Sequence, residues 1–455
     1  MLYATVAALG AALLLFVWIG LRARSADASL DEYVTARNSQ GPVTLGLSFL
    51  ASGLGAWILF APPEVGAFVG PVAVAGYALG AALPFLVLAW CGPAIRRCLP
   101  HGRSIAEYAQ HRFGTGLRLW VSAISVLYML CFLTAELTAI GAITGMLSGL
   151  PGAWMVVGVA ATTLAYTAWG GLRASLATDR WQAWLLLALL GLVLAVLLPG
   201  LPDAPPVTAP SAPPEVALSV ALTLVIAVTA ANLFHQGYWQ RVWAARDDRA
   251  LAQGAWLGGA STVLVVAAIG ALGVLAASRG LDLGQPPIPF FALLKGAPAW
   301  LTLPALLLAV ALVASSVDTL QNGIASLVVT ARPGVALSSA RWATVALMVP
   351  VVLVALQGLS VLRLFLIADL LCATAVVPVL MGLWRHTTPT AAVAGALAGV
   401  VGAVLPGWVS TGSLAQGLLA ASFPGSIPTL APFAGALVAS SLVCGALSVL
   451  RKPAA

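Results

Sequence analysis

Charged side chains are scarce in this sequence. Of its 455 residues only 8% are Asp, Glu, Lys or Arg, whereas 61% are hydrophobic. A soluble domain carries roughly 25% charged residues, so this chain lacks the polar side chains that would cover a water-facing surface. The composition excludes an ordinary soluble protein and predicts a polytopic membrane protein that folds as a single bundle.

Motifs for metal binding and for catalysis are also absent from the sequence. The five cysteines form no Cys-x-x-Cys pair and no Cys/His metal spacing. There is no phosphate-binding loop, no His-Glu-x-x-His motif and no nucleophile elbow. The net charge of +7 is typical of cytoplasmic loops that face anionic lipid. We therefore expect neither an enzyme nor a nucleic-acid-binding protein, and no motif indicates an obligatory protein partner.

Long apolar runs, by contrast, are abundant. A membrane-spanning helix needs about 20 mainly apolar residues, and these runs are too long and continuous for barrel strands. Thirteen helical spans are predicted, over residues 2–21, 43–69, 72–95, 119–148, 152–171, 182–200, 214–240, 252–277, 299–330, 342–358, 361–384, 389–410 and 428–450.

The distribution of basic residues predicts how these spans are oriented. With the N-terminus outside, 18 of the 21 Lys and Arg residues lie on the inner side, and only Arg279, Lys295 and Arg363 lie outside. Cytoplasmic loops are enriched in Lys and Arg, so we expect a multi-pass protein of the plasma (inner) membrane with a cytoplasmic C-terminus. This count treats Arg241 as part of the inner surface.

Spans two to six and seven to eleven then form two five-helix units of opposite topology, as in inverted-repeat transporters. One transporter domain, 1–455, is predicted. Its parts are a first helix and inner loop (1–42), a first repeat (43–200), an outer connector (201–213), a second repeat (214–384) and two C-terminal helices (385–455).

The stretch "LVASSVDTLQNG" (312–323) places polar residues inside an apolar span. Ser315, Ser316 and Thr319 share one helical face with Leu312, and Asp318 lies at its edge. A charge at the centre of a span costs at least ~2.5 kcal/mol, so this face must contact protein or water. Two adjacent hydroxyls suit a hard cation such as sodium; the alternative is helix–helix contact through serine and threonine.

A second stretch, "SFLASGLGAWILFAPPEVG" (48–66), predicts a broken helix. Gly53 and Gly55 weaken the helix, and Pro62 and Pro63 remove backbone donors. A break at mid-membrane frees carbonyl groups that a cation can bind; the alternative is a simple kink. Glu64 is interpreted as a charge near the outer surface in preference to a substrate contact.

A third stretch, "AANLFHQGYWQRVWAARDDRA" (230–250), crowds neutral hydrogen-bonding groups together. Such groups suit a small polar solute, so Asn232, Gln236, Tyr238 and Trp239 are candidate substrate contacts, and His235 is interpreted as structural. Charged residues deep in other spans need interior partners, and the sequence does not name those of Glu136 and Asp369.

Three stretches together resemble the sodium:solute symporter family: "YTAWGGLRASLATDRWQ" (166–182), "GRSIAEYAQHRFG" (102–114) and "VASSVDTLQN" (313–322). The proline- and urea-permease-like branches are the most similar. The resemblance implies an all-α fold of the leucine-transporter type, alternating access and Na⁺ as the coupling ion. It also implies that Asp179 lies on an ion path, with Asp318 as a further candidate there, and that Trp57 lies in the substrate site. The sodium ligands that it implies are the hydroxyls of Ser315 and Ser316 and the backbone carbonyls of Ala51, Leu54 and Leu312.

One position departs from the family pattern. Gly53 stands where family members often have aspartate or asparagine, and Asp318 could supply the charge instead. The sequence therefore predicts a sodium-coupled importer of a small organic solute, with an amino acid such as proline, or urea, favoured. One alternative is a proton-coupled or uncoupled carrier on the same fold, in which Glu136, Asp318 or His235 titrates. A membrane sensor or enzyme is a remote alternative.

Overall fold

The computed structural model describes residues 2–23, 34–197, 212–284, 287–295, 297–331, 337–357, 361–424 and 428–450. These residues form helices joined by short connections and contain no β-strand; one isolated bridge pairs Gln40 with Ala245. The all-α prediction is therefore confirmed. Most of the predicted outer connector, 201–213, lies outside the described residues.

The helices follow the apolar runs of the sequence. In the first half they are α1 (Leu2–Arg22), α2 (Pro42–Gly53), α3 (Ala61–Phe68), α4 (Pro71–Cys98), α5 (Ile105–Phe113), α6 (Thr115–Ser148) and α7 (Gly152–Leu197). In the second half they are α8 (Pro214–Asn232), α9 (Gln236–Ala244), α10 (Asp248–Ser278), α11 (Pro289–Ala292), α12 (Ala299–Ala331), α13 (Leu337–Ala355), α14 (Val361–Leu380), α15 (Pro389–Thr411), α16 (Leu414–Ala420) and α17 (Leu430–Leu450).

Within the described ranges, nine helices are long and apolar enough to cross a membrane, and the bent pair α2 and α3 makes a tenth. Two predicted spans, 152–171 and 182–200, are merged in α7, whose helical geometry is interrupted at Gly171 (φ 59°, ψ −151°). Two others correspond to shorter apolar helices, Val6–Arg22 and Arg341–Ala355. Each predicted span thus has a helical counterpart, while the count of thirteen stays a prediction.

The first helix of each five-helix unit is broken. The predicted break in 43–69 lies between α2 and α3, which are bent by 58°, with a 3₁₀ turn at Ala56–Leu59 between them. The predicted span 214–240 is also broken, at residues 233–235 between α8 and α9, which the sequence analysis did not anticipate. Paired breaks are typical of inverted-repeat transporters.

The central helices are buried by the outer ones. In α12, 72% of the most apolar window is buried, against 28% in α17. Large apolar side chains such as Trp90, Trp154 and Leu264 are exposed on the surface, where a membrane protein contacts lipid. Polar side chains are buried along α12 instead, so the polar face of residues 312–323 points into the protein.

One basic residue of the orientation count is not in a surface loop. The side chain of Arg241, on α9, is fully buried. The break at 233–235 turns the chain so that α9 packs against α4, α12 and α2 inside the bundle. A hydropathy reading that treats 214–240 as one continuous span cannot detect this turn.

Replacing Gly55 should destabilise the break in the first repeat. A Cβ atom at Gly55 would lie 2.0 Å from Oε1 of Glu136, so Gly55→Ala forces a buried side chain to move, and overpacking of this kind costs about 1–3 kcal/mol. Thermal unfolding in detergent measures the effect. Gly191→Ala is the matched control, because nothing lies within 4 Å of its added methyl group. Equal unfolding temperatures for the two variants would contradict the prediction.

Candidate cation and solute sites

A fully buried ion pair lies where the two repeat units meet. Nη2 of Arg241, on α9, lies 2.7 Å from Oδ2 of Asp179, on α7, and both side chains have no exposed surface. The Arg241 guanidinium also donates to the Gly237 carbonyl at 2.7 Å through Nη1. Breaking a buried pair of this kind leaves an uncompensated charge in a region of low dielectric, so the pair fixes α7 and α9 together.

Three hydroxyl groups, from two helices, satisfy the remaining hydrogen-bonding capacity of the pair. Ser48 Oγ, on α2, donates to Asp179 Oδ2 at 2.6 Å and accepts from Nε of Arg241 at 2.7 Å. Ser52 Oγ donates to the same carboxylate oxygen at 3.1 Å and accepts from Arg241 Nη2. Ser315 Oγ, on α12, donates to Asp179 Oδ1 at 2.7 Å. The pair therefore joins α2, α7, α9 and α12.

Asp318 adds a second carboxylate beside this pair. It accepts hydrogen bonds from the hydroxyls of Tyr166 at 2.6 Å, Ser175 at 2.7 Å and Thr178 at 3.1 Å. Thr319 Oγ1 lies 3.4 Å from Asp318 and 3.3 Å from Nη2 of Arg241, which connects the two groups. With both carboxylates ionised, this buried cluster carries two negative charges and one positive charge, which leaves a net charge of −1.

Of the oxygen atoms implied as sodium ligands, the Ser315 hydroxyl contacts this cluster directly. Ser316 Oγ is buried and has no hydrogen-bond partner among the described residues, although buried hydroxyls normally have one. Leu54 follows the end of α2 with non-helical angles (φ −107°, ψ 77°). Because the helix ends there, the described backbone hydrogen bonds leave the carbonyls of Ala51 and Leu54 without a backbone donor. Hard oxygen donors beside a net negative charge fit a monovalent hard cation.

The departure at Gly53 has a steric explanation. A Cβ atom there would lie 2.8 Å from the hydroxyl oxygen of Tyr238 and 3.2 Å from the ring of Phe85. The space that an aspartate or asparagine side chain would need is taken by Tyr238. The carboxylate that contacts a candidate sodium ligand is instead that of Asp179, which accepts a hydrogen bond from Ser315.

An aromatic cavity lies beside the two helix breaks, since its lining includes Trp57 and Asn232. Nine residues line it: Trp57, Tyr77, Tyr128, Phe132, Val228, Ala231, Asn232, Phe365 and Asp369. Trp57 and Tyr77 are stacked, with ring centroids 5.3 Å apart, and Tyr128 donates to Oδ1 of Asn232 at 3.3 Å. The volume is about 20 Å³, which is roughly the room for one water molecule. The walls must therefore move apart to admit an organic solute.

The candidate substrate residues fall into two groups. Trp57 and Asn232 line the aromatic cavity, whereas Gln236, Tyr238 and Trp239 do not. Gln236 Nε2 donates to the Arg103 carbonyl at 2.6 Å. Trp239 Nε1 donates to the Leu233 carbonyl at 2.7 Å, and Tyr238 is stacked on His235 with centroids 4.5 Å apart. These contacts give the three residues a role in packing α9 against its neighbours.

The structure also locates Glu136 and Asp369, the two carboxylates deep in predicted spans for which the sequence named no partner. Oε1 of Glu136 lies 3.4 Å from the backbone nitrogen of Trp57, so it contacts the unwound segment of the first broken helix. Asp369 lines the aromatic cavity, and sequence reasoning did not place it in the substrate site. The only signal for it was a charge in the middle of a predicted span.

Broken helices, buried polar clusters and lipid-facing apolar surfaces together define a multi-pass membrane transporter. The model of the Sodium:solute symporter family matches residues 33–199, which confirms the resemblance seen in the sequence. Across 364 residues the chain is 29% identical to the "Spermidine transporter DUR31" of Candida albicans, covering 78% of this chain and 70% of that protein.

Solved structures show the same fold. The chain is similar to a Na⁺-coupled sialic acid symporter in a substrate-bound outward-open state, with a TM-score of 0.75 and 16% identity over 99% of this chain and 98% of that one. It is also similar to the inward-facing conformation of Mhp1, with a TM-score of 0.59 and 17% identity over 94% and 95% of the two chains. Mhp1 is a nucleobase-cation-symport-1 family transporter.

Removing one partner of the buried pair should strongly destabilise the protein. Asp179→Asn or Arg241→Gln leaves the other charge buried and unpaired, which costs about 3–5 kcal/mol. The double variant removes both charges, so it should lose less stability than the sum of the two single losses. Thermal unfolding of all four proteins in one detergent measures this coupling.

Asp248→Asn serves as the control for that cycle. Asp248 pairs with Arg97 at 2.8 Å, but both side chains are largely exposed, and exposed pairs contribute about 0.2–1 kcal/mol. If the losses of stability are additive in the double variant, the two buried charges are not coupled. If Asp248→Asn loses as much stability as Asp179→Asn, burial does not make the pair more important than an exposed one.

Proposed function

We propose that this protein is a sodium-coupled symporter that imports a small organic solute by alternating access. The observation that carries the proposal is the cluster around Asp179, Asp318 and Arg241. It holds a net charge of −1 when both carboxylates are ionised, and Ser315, which donates to Asp179, directly precedes Ser316, whose buried hydroxyl has no partner among the described residues. Placing one monovalent cation at this cluster would neutralise it and give that hydroxyl a partner.

The proposed sodium site uses oxygens from both repeat units. The carbonyls of Ala51 and Leu54 come from α2, while α12 supplies the Leu312 carbonyl and the hydroxyls of Ser315 and Ser316. Contact between α2 and α12 is maintained by the hydrogen bond between Ser52 and Thr319, 2.9 Å long. A cation bound at this junction favours the arrangement in which the two helices are together, which is how binding shifts a conformational equilibrium.

The break at 53–56 connects this cation site to the solute site. Trp57, a wall of the aromatic cavity, donates from Nε1 to the Gly53 carbonyl at 3.1 Å. The carbonyls of Ala51 and Leu54 belong to the same short segment. A cation that orders this segment therefore also positions Trp57 against the solute, and this gives a physical basis for coupling between the two ligands.

The Asp179–Arg241 pair is proposed as a closure on the cytoplasmic side of the solute site. The end of α9 beyond Arg241 contacts a loop at one face of the bundle, where Trp243 Nε1 donates to the Leu99 carbonyl at 3.0 Å. The same face carries Arg96, Arg97, Arg246 and Arg249, and an excess of basic residues marks the cytoplasmic face. We accordingly propose a plasma (inner) membrane location with the N-terminus outside.

Three kinds of solute are candidates. The sequence resemblance favours an amino acid such as proline, or urea, whereas the Candida albicans relative is a transporter of spermidine, which adds amines. Uptake into proteoliposomes tests the function itself, with labelled proline, urea and spermidine offered under an inward sodium gradient, a pH gradient or neither. Uptake driven by sodium supports the proposal. Uptake driven only by the pH gradient would replace it with a proton-coupled carrier.

Ser316→Ala should weaken sodium activation of uptake. Removing one oxygen ligand costs about 1–2 kcal/mol, a factor of roughly 5–30 in the equilibrium, so the sodium concentration for half-maximal uptake should rise by that factor. The matched control is Ser440→Ala. Ser440 is a buried serine on α17 whose hydroxyl donates to the Leu437 carbonyl of its own helix at 3.0 Å. An unchanged sodium dependence in Ser316→Ala would remove this serine from the site.

A further inference from the structure

The aromatic cavity contains a buried carboxylate without a partner. Asp369, on α14, is 6% exposed and lines the cavity. Among the described residues it accepts no hydrogen bond and forms no ion pair. An ionised carboxylate in such a place is strongly disfavoured unless a cation or hydrogen-bond donors compensate for it.

The lining offers Asp369 no positive charge. None of the nine lining residues is Lys, Arg or His, and the buried guanidinium of Arg241 is already paired with Asp179. The compensating group must therefore come from the solute or from a proton. A free carboxylate on the solute would be repelled by Asp369 and would find no basic side chain in the lining.

The walls of the cavity suit an organic cation. Trp57 and Tyr77 are stacked, and Phe132 lies edge-on to Phe365 with centroids 4.9 Å apart. The faces of such rings attract ammonium groups, and apolar walls accommodate the methylene groups between them. A hard metal ion would require several oxygen ligands, which one carboxylate among aromatic rings does not supply.

We propose that the solute is an aliphatic amine whose ammonium group is bound by Asp369 inside the aromatic cavity. This assignment rests on the proposed function, since it names the solute of the same transport site. It separates the candidate solutes by charge. Urea is neutral and offers Asp369 no cation, and proline carries a carboxylate that the cavity repels.

Uptake kinetics in proteoliposomes test the assignment, with 1,4-diaminobutane and n-butylamine as the diamine and monoamine probes. In the wild-type protein both should be transported. Asp369→Asn should raise the KM of both probes about tenfold or more, because each loses a charge-assisted hydrogen bond. Asp282→Asn, at an exposed position, should change neither.

Sodium-induced thermal stabilisation of each variant shows whether it is folded and still binds the cation. If Asp369→Asn responds to sodium but keeps the wild-type KM for both amines, the assignment is overturned. If that variant does not fold, Asp369→Glu decides, since the retained carboxylate should keep amine uptake. Loss of amine uptake in a folded Asp369→Glu protein would overturn the assignment.

The same assay distinguishes failure of this assignment from failure of the proposed function. Sodium-driven uptake of proline or urea without competition from 1,4-diaminobutane would overturn the amine assignment and leave the symporter intact. Amine uptake that depends on Asp369 but is indifferent to sodium would support the amine assignment and overturn the sodium-coupled symporter.

Discussion

The buried ion pair between Asp179 and Arg241 is the constraint on which the rest of this structure depends. Two charges without exposed surface are tolerated only when each is paired and its remaining hydrogen-bonding capacity is satisfied. Serines of α2 and α12 provide this around the pair. Four helices from both repeat units must therefore keep a fixed arrangement, and that arrangement brings the broken helix against the polar face of α12.

The same constraint explains why the two candidate sites differ in electrostatics. Near Asp179 the protein supplies its own cation, Arg241, and the second carboxylate, Asp318, is surrounded by hydroxyl donors. In the aromatic cavity the lining residues supply no cation for Asp369. On the proposed function, the first site takes a small inorganic cation that completes a polar cluster, and the second takes an organic cation that replaces a missing partner.

Much of the fold could be predicted from composition and local pattern. Each of the thirteen predicted spans has a helical counterpart, because twenty apolar residues in sequence leave few alternatives to a membrane helix. The break near Gly53 and Gly55 was visible for a similar reason, since glycine and proline act on the local backbone. The break at 233–235 could not be predicted from the sequence, because no glycine or proline occurs at these residues. The hydropathy of 214–240 also does not reveal a turn into the interior.

The sequence by itself determined the class of protein, the positions of the helices and the presence of a polar face on α12, since each depends on residues close together in the chain. Only the tertiary structure decided which charges meet. Asp179 and Arg241 are 62 positions apart, and neither residue shows in the sequence that it is buried against the other. The same holds for Asp369, whose significance comes from the aromatic rings of α4, α6 and the first break that surround it. Partner choice depends on packing between distant segments, and no local pattern contains that information.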